Sequence, residues 1–294
     1  MHNIFKIISK PDNIAIVIML FMVGFFTLWA FQQALRNDRR RRAGLPVDGE
    51  SDVKVTVWPN LVRIEMLGTL AVVAALIIWS VLVNAPLEEH SNPTLTPNPA
   101  KAPWYFLGLQ EMLVYFDPWI AGVVLPGLII VGLIAIPYLD INPKGNGYYT
   151  FTERKFAISV YVFGFHVLWL FLIAIGVFIR GPGWLWYWPW QTWDKNRVIY
   201  QAGIDMTELV GINSASVAGF LVGGAVVITY FALGVMVPRY LLKKKHPALI
   251  ERLGWVRYLF VAGLFWTMVA LPIKVLLRLI LDIKYVWVTP WFNI

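Results

Sequence analysis

The chain of 294 residues is 59% hydrophobic and 14% charged, with a mean hydropathy of +0.64. Soluble domains carry roughly 25% charged residues, so a soluble globular protein is excluded. The net charge of +8 calls for no nucleic acid, because a basic face against anionic lipid accounts for it. The absence of cysteine excludes disulfides, thiolate-held iron–sulfur clusters and thioether-linked haem on this chain.

A hydrocarbon core is crossed by about 20 apolar residues in a helix. Six stretches meet that length: residues 13–34, 61–83, 120–139, 156–179, 216–237 and 256–277. The expected fold class is therefore an all-α integral membrane protein with about six transmembrane helices. The first stretch runs straight into Arg36 and Arg39–Arg42 without a small-residue cleavage site, and so reads as an anchor rather than a cleaved signal. Residues 37–60 form a polar, basic linker, and residues 84–118 a loop with a proline-rich hinge. Residues 140–155 are a short turn rich in Gly, Asn and Pro. Residues 180–215 carry Trp184, Trp186, Trp188, Trp190 and Trp193 around Pro182 and Pro189. That cluster reads as an aromatic belt at headgroup depth or as a docking surface. In the last segment Lys274 and Arg278 stand one helical turn apart among leucines, a pattern suited to the interface.

Three sections follow: residues 1–60 (first helix and basic linker), 61–180 (three helices and the hinge) and 181–294 (Trp-rich loop, two further helices and the terminal segment). If the side after the first helix is cytoplasmic, it collects Arg36, Arg39–Arg42, Lys54, Arg63, Lys144, Arg154, Lys155, Arg239, Lys243–Lys245, Arg252 and Arg257. These are 16 of the 25 basic residues. The positive-inside rule then places both termini and the hinge on the outer, electropositive side.

The hinge, Asn98-Pro99-Ala100-Lys101-Ala102-Pro103-Trp104-Tyr105-Phe106, is irregular polar backbone between apolar segments. Such backbone is tolerated near a bilayer only where it is buried in protein or lines a cavity, which makes it a candidate ligand pocket. Elsewhere the chemistry is sparse. His2, His90 and His246 lie outside the apolar cores and His166 stands alone in the fourth helix, so this chain supplies no histidine pair for a haem. There is no Gly-rich phosphate loop, no metal-spaced acidic cluster and no internal repeat, which leaves a transporter reading without support.

Trp58-Pro59-Asn60, Leu67-Gly68-Thr69-Leu70-Ala71, Ala102-Pro103-Trp104-Tyr105-Phe106, Gln110–Leu113, Ile136-Pro137-Tyr138-Leu139-Asp140 and Arg154-Lys155 occur in an order and spacing that resembles subunit IV of the cytochrome b6f complex. That subunit is similar to the C-terminal part of cytochrome b. The likeness covers roughly residues 58–180; the first helix and everything after about residue 180 have no counterpart in it.

The resemblance implies a membrane subunit of a cytochrome bc-type quinol oxidoreductase, with Pro103, Trp104, Tyr105 and Phe106 in an outer-side quinol-oxidation pocket. It also implies a cytochrome b6-like partner holding haem b, a Rieske or other iron–sulfur subunit or a c-type cytochrome as acceptor, and no haem ligated by this chain. The expected quinone is of the menaquinone type and the expected location a bacterial cytoplasmic membrane, in contact with lipid. Where the family places a glutamate in this loop, the chain has Pro103, which carries neither an ionisable group nor an N–H. The expected substitute proton acceptor is Glu111, eight residues on and on a similar face if the segment is helical; alternatively it caps backbone or pairs with Lys101 or a partner cation. Asp117 and Glu88-Glu89-His90 extend a water path or are simply solvated. Arg63 and Glu65 mark an inner-side site or a charged pair at the headgroup boundary. The competing function is a structural anchor of another quinone-linked respiratory complex that has lost quinol oxidation.

Overall fold

The computed structural model describes residues 2–48, 56–84, 90, 92–145, 147–199 and 203–294. Glu88 and Glu89, named above for a water path, lie outside these residues, as does Lys54. The described helices are α1 (His2–Ile8), α2 (Pro11–Arg42), α3 (Val62–Leu82), the short α4 (Leu107–Met112), α5 (Ile120–Leu139), α6 (Lys155–Ile179), α7 (Val217–Lys245) and α8 (Pro247–Leu281). Six of them are long and apolar enough to cross a membrane, which bears out the all-helical, six-span expectation. Wide, π-type turns run through Val162–Leu170 and Ile175–Ile179 of α6 and open α5 at Ile120–Val124.

The chain divides into two compact units. One comprises Ile8–Pro97 and Lys144–Arg154. In it α2 continues two turns beyond its apolar stretch, to Arg42. Asn37 and Asp38 allow this: both are buried, and both bond to the turn at 147–154, Asn37 also to Asp48. Asn37 Nδ2 donates to the Tyr149 carbonyl at 2.9 Å and its Oδ1 accepts from Asp48 N at 3.0 Å. Asp38 accepts from the Thr152 hydroxyl at 2.8 Å and amide at 3.0 Å. Around them Arg41 pairs with Glu153 and Tyr148, and Arg40 with Asp48 at 3.1 Å. Cations in the last turn also complement the helix dipole. α3 has no buried residue.

The other unit comprises Asn98–Pro143 and Lys155–Ile294 with the first residues through Ile7. α7 packs along α8 around Val235, Ile250, Tyr258 and Ala262. Two hydroxyls tie the pair to backbone, the buried Tyr258 to the Val235 carbonyl and the half-buried Tyr230 to the Trp266 carbonyl, each at 2.7 Å. Gly234 is required there, since a Cβ would stand 2.8 Å from the Trp266 ring. α8 bends at Gly254, whose φ of +72° is open to glycine at little cost. After Asp282 the chain leaves the helix and turns back, pairing Ile283 with Ile204 and Trp287 with Ile294. The terminal segment thus packs on its own unit through Phe292 and Ile294.

Candidate functional site

The hinge is shaped by its neighbours in sequence. Pro103 is extended (φ −51°, ψ 147°) and Trp104–Phe106 makes one tight 3-10 turn before α4. Gln110, one turn into α4, reaches back with both ends of its amide: Oε1 accepts from Ala102 N and Nε2 donates to the Ala100 carbonyl, each at 2.8 Å. Lys101 Nζ donates to the Val177 carbonyl at the end of α6 at 2.8 Å. The irregular strand is therefore clamped on both sides, and it presents three adjoining rings. Trp104 meets Tyr105 edge-on with centroids 5.6 Å apart, and Tyr105 lies 4.6 Å from Phe106. Tyr105 and Phe106 are half exposed, at 49% and 50%, so this is an open aromatic face rather than part of the core.

The opposite face of the same segment is closed. Leu107 and Gly108 are buried against α6, where Gly176 and Gly108 admit the close approach: a Cβ on either would stand 3.3 Å from Leu107 or Ile173. Glu111 is fully buried. Its carboxylate accepts from Arg180 Nη2 at 2.6 Å and Nε at 2.9 Å, from the Tyr115 hydroxyl at 2.9 Å and from Trp184 Nε1 at 3.2 Å. Arg180 also donates to the Trp184 carbonyl at 3.0 Å and lies 5.5 Å from the Trp186 ring. Burial pulls the Arg180 guanidinium towards neutrality, but the bond to Glu111 and its charge outweigh this and push it up, so it stays cationic. The Tyr115 phenol is pushed up by burial first and then by the Glu111 charge, so at neutral pH it acts as a donor. Trp184 sits at φ +57°, unusual for a bulky residue, and follows Gly183 at φ +66°. Strain of this kind persists where surrounding contacts over-determine it, as Glu111 and Arg180 do here.

Of the four hinge residues singled out from the sequence, Trp104, Tyr105 and Phe106 adjoin ring to ring, and Pro103 precedes them as the residue that opens the turn. Glu111 is not among them: the tight turn at 104–106 advances the chain about 120° per residue instead of 100°, and the carboxylate faces inward onto Arg180. The pairing foreseen with Lys101 is made by Arg180 instead. Arg180, Tyr115 and Trp184 were missed by sequence reading; the available signal was a lone cation closing one apolar helix and a single acid in the otherwise uncharged run 102–116. Arg63 and Glu65 are exposed at the start of α3, with no ion pair between them among the described residues. His166 lies edge-on to Phe165 and Tyr161 within α6. Asp117 accepts from Trp119 N at 3.0 Å. Among the described residues no group of three or more His, Asp or Glu is placed to hold a metal ion.

Residues 90–180 match the family model described as cytochrome b (C-terminal)/b6/petD. This segment contains the hinge, α4, α5 and all of α6, and ends at Arg180. The match bears out the resemblance over those residues. The chain is also 32% identical, over 111 residues, to a menaquinol:cytochrome c reductase cytochrome c subunit of Geobacillus thermodenitrificans. The aligned region is 35% of this chain and 44% of that protein, so the chain spans less than half the length of its relative. No solved structure matches it.

Proposed function

We propose that this chain, cytochrome b6f subunit IV-like over residues 90–180, is the membrane subunit that supplies half of a quinol-oxidation pocket in a complex of the menaquinol:cytochrome c reductase type. The observation that carries this reading is the hinge itself: an open Tyr105-Phe106 face with the half-buried Trp104 beside it, backed by Gln110, Lys101 and the Glu111–Arg180 pair. Flat apolar rings with one hydroxyl suit a quinol head group, which needs walls and a polar anchor. In this reading Tyr105 hydrogen-bonds the quinol or a water, while Trp104 and Phe106 confine the ring. Pro99 and Pro103 keep the strand out of helix, and the pocket opens on the outer side.

Glu111 serves as a positioning residue. Its oxygens are committed to four donor groups, and accepting a quinol proton would require it first to leave Arg180. The proton therefore departs by another group. Haem b and the one-electron acceptors belong to partner chains, a b6-like subunit and an iron–sulfur or c-type cytochrome subunit. The quinone is menaquinone and the setting a bacterial cytoplasmic membrane, with the basic end of α2 inside.

Purification through a tag on this chain, followed by haem spectra and naphthoquinol-driven cytochrome c reduction, tests the assignment. The expected result is co-purified haem b and turnover that Tyr105→Ala and Trp104→Ala weaken through KM. A complex lacking haem b, or one whose turnover ignores inhibitors of the outer quinol pocket, overturns it in favour of a structural anchor.

A further inference from the structure

Lys274 lies in the last third of α8 and is 3% exposed. An ammonium withdrawn from water in a spanning helix marks a functional position more often than a packing one, and this one does not snorkel to solvent. Three elements surround it. Its own helix contributes Arg278, paired with Asp282 at 3.1 Å. The terminal segment contributes the Lys284 carbonyl, which accepts from Lys274 Nζ, and the Tyr285 ring, 5.7 Å from Lys274 Nζ and 5.2 Å from Lys284 Nζ. The loop before α7 contributes Asp205, whose charge bears on Lys274, and its backbone is bonded to the terminal segment from Met206 N to the Tyr285 carbonyl at 2.8 Å and from Lys284 N to the Ile204 carbonyl at 2.9 Å.

Two polar atoms of that loop, Asp205 Oδ1 and Thr207 Oγ1, are buried and find no partner among the described residues, and Thr207 as a whole is 3% exposed. Buried polar atoms without a partner are rare, and ordered water is their usual complement. The same neighbourhood reaches the far end of α4, the helix that the hinge leads into. Leu271 and Val275 of α8 pack on the buried cluster that begins at Met112, the last residue of α4, and includes Tyr115 and Phe116, and Asp117, just beyond, accepts from Asn293 Nδ2 at 3.4 Å. The Tyr285 phenol is pushed up by burial and then by the charges of Asp117 and Asp205, with Arg278 opposing, so these groups share one electrostatic environment.

We propose that Asp205, Thr207 and Lys274, with Tyr285 and Asp117, form a water-holding site that carries protons from the far end of α4, one short helix beyond the hinge, to the surface. The proposal rests on the quinol reading above. A buried water needs two to four polar partners, and Asp205 Oδ1, Thr207 Oγ1, Lys274 Nζ and the Tyr285 hydroxyl provide them. The proton lost from a quinol hydroxyl is taken up by water, passes to the Asp205 carboxylate and leaves from the resulting neutral acid to bulk water. Only O–H bonds break and form; the two electrons go to the acceptors of the complex. Lys274 holds carboxylate and water in register by its charge, as a positioning residue.

The experiment uses the purified complex with a soluble naphthoquinol. Asp205→Asn and Lys274→Met are expected to lower kcat about 10-fold or more, with KM unchanged. The H2O/D2O rate ratio rises and the acid limb of the pH–rate profile moves, while Asp205→Glu retains most of the rate. Wild-type kcat, isotope ratio and pH profile in both variants overturn the proposal. So does a rate loss with an unchanged isotope ratio, which is the mark of a merely structural role. A wild-type complex that does not oxidise naphthoquinol fails the quinol reading instead. In that case high-resolution density decides the site: water bonded to both Asp205 Oδ1 and Thr207 Oγ1 supports it, and a dry site overturns it.

Discussion

Arg180→Leu removes the cation from a pair in which the carboxylate side chain is fully buried and the guanidinium side chain is 6% exposed. Glu111 keeps only the Tyr115 and Trp184 donors, an uncompensated charge in a closed site. Breaking a buried pair from one side costs about 3–5 kcal/mol, whereas replacing both partners by apolar residues of similar volume is close to neutral or stabilising. At roughly 2–4 °C per kcal/mol, Arg180→Leu is expected to lower the melting temperature by roughly 6–20 °C, and Glu111→Gln by less, because an amide still accepts from Arg180. The double variant Glu111→Met/Arg180→Leu returns to within about 1 kcal/mol of wild type. Thermal unfolding of the detergent-solubilised complex, followed by tryptophan fluorescence, and naphthoquinol turnover on the same preparations give the two readouts. A positioning role for Glu111 requires that stability and turnover fall together in the single variants and recover together in the double. If the double variant recovers its melting temperature while turnover stays down 100-fold or more, Glu111 is the proton acceptor after all. If Arg180→Leu melts like wild type, the pair is not structural.

Tyr115 makes the native state sensitive to alkali. Its phenol is raised above the ordinary 10.0 by burial and by Glu111, so its contribution is complete below pH 10 and declines as pH rises above that value towards the native-state pKa. Tyr115→Phe is expected to cost about 1.5–3 kcal/mol at neutral pH and to flatten the fall of melting temperature above pH 10. Gln110→Ala frees the hinge strand from two 2.8 Å bonds and is expected to raise the naphthoquinol KM with a smaller effect on melting. Gly234→Ala drives a methyl to 2.8 Å from Trp266 and is expected to destabilise the α7–α8 pair by about 1–3 kcal/mol, read as a lower melting temperature with unchanged KM. Asn37→Ala opens the clasp under the end of α2 and is expected to speed tryptic cleavage at Arg39–Arg42 several-fold, measured by gel time course.

The spans were legible because a membrane helix is written as length and apolarity alone: residues 120–139 coincide with α5, and 156–179 fall one residue short of α6. The extensions of α2 to Arg42 and α7 to Lys245 were not, because polar residues there are held in helix by partners far along the chain or by the dipole. The hinge was legible through its prolines and rings. Its anchor was not, since Glu111 and Arg180 are 69 residues apart and nothing local shows which face of a six-residue helix turns inward. The Lys274 site was hidden for the same reason: its carboxylate, its hydroxyl and its ring arrive from two separate loops, and in sequence Lys274 reads as an interfacial cation.

The clasp between α2 and residues 147–154 also has a timetable. Arg41 and Glu153 are 112 residues apart, so at about 5–20 residues per second roughly 6–20 s of synthesis separate the arginine from its carboxylate. During that interval Arg39–Arg42 lack that clasp, and the positive-inside orientation proposed above would make them a topogenic signal. Once Tyr149, Thr152 and Glu153 emerge, Arg41 and the polar pair beside it are drawn into a lock. Under that orientation the same short segment would orient the chain early in biogenesis and fasten it later, and a mutation there would have two distinct moments at which to fail.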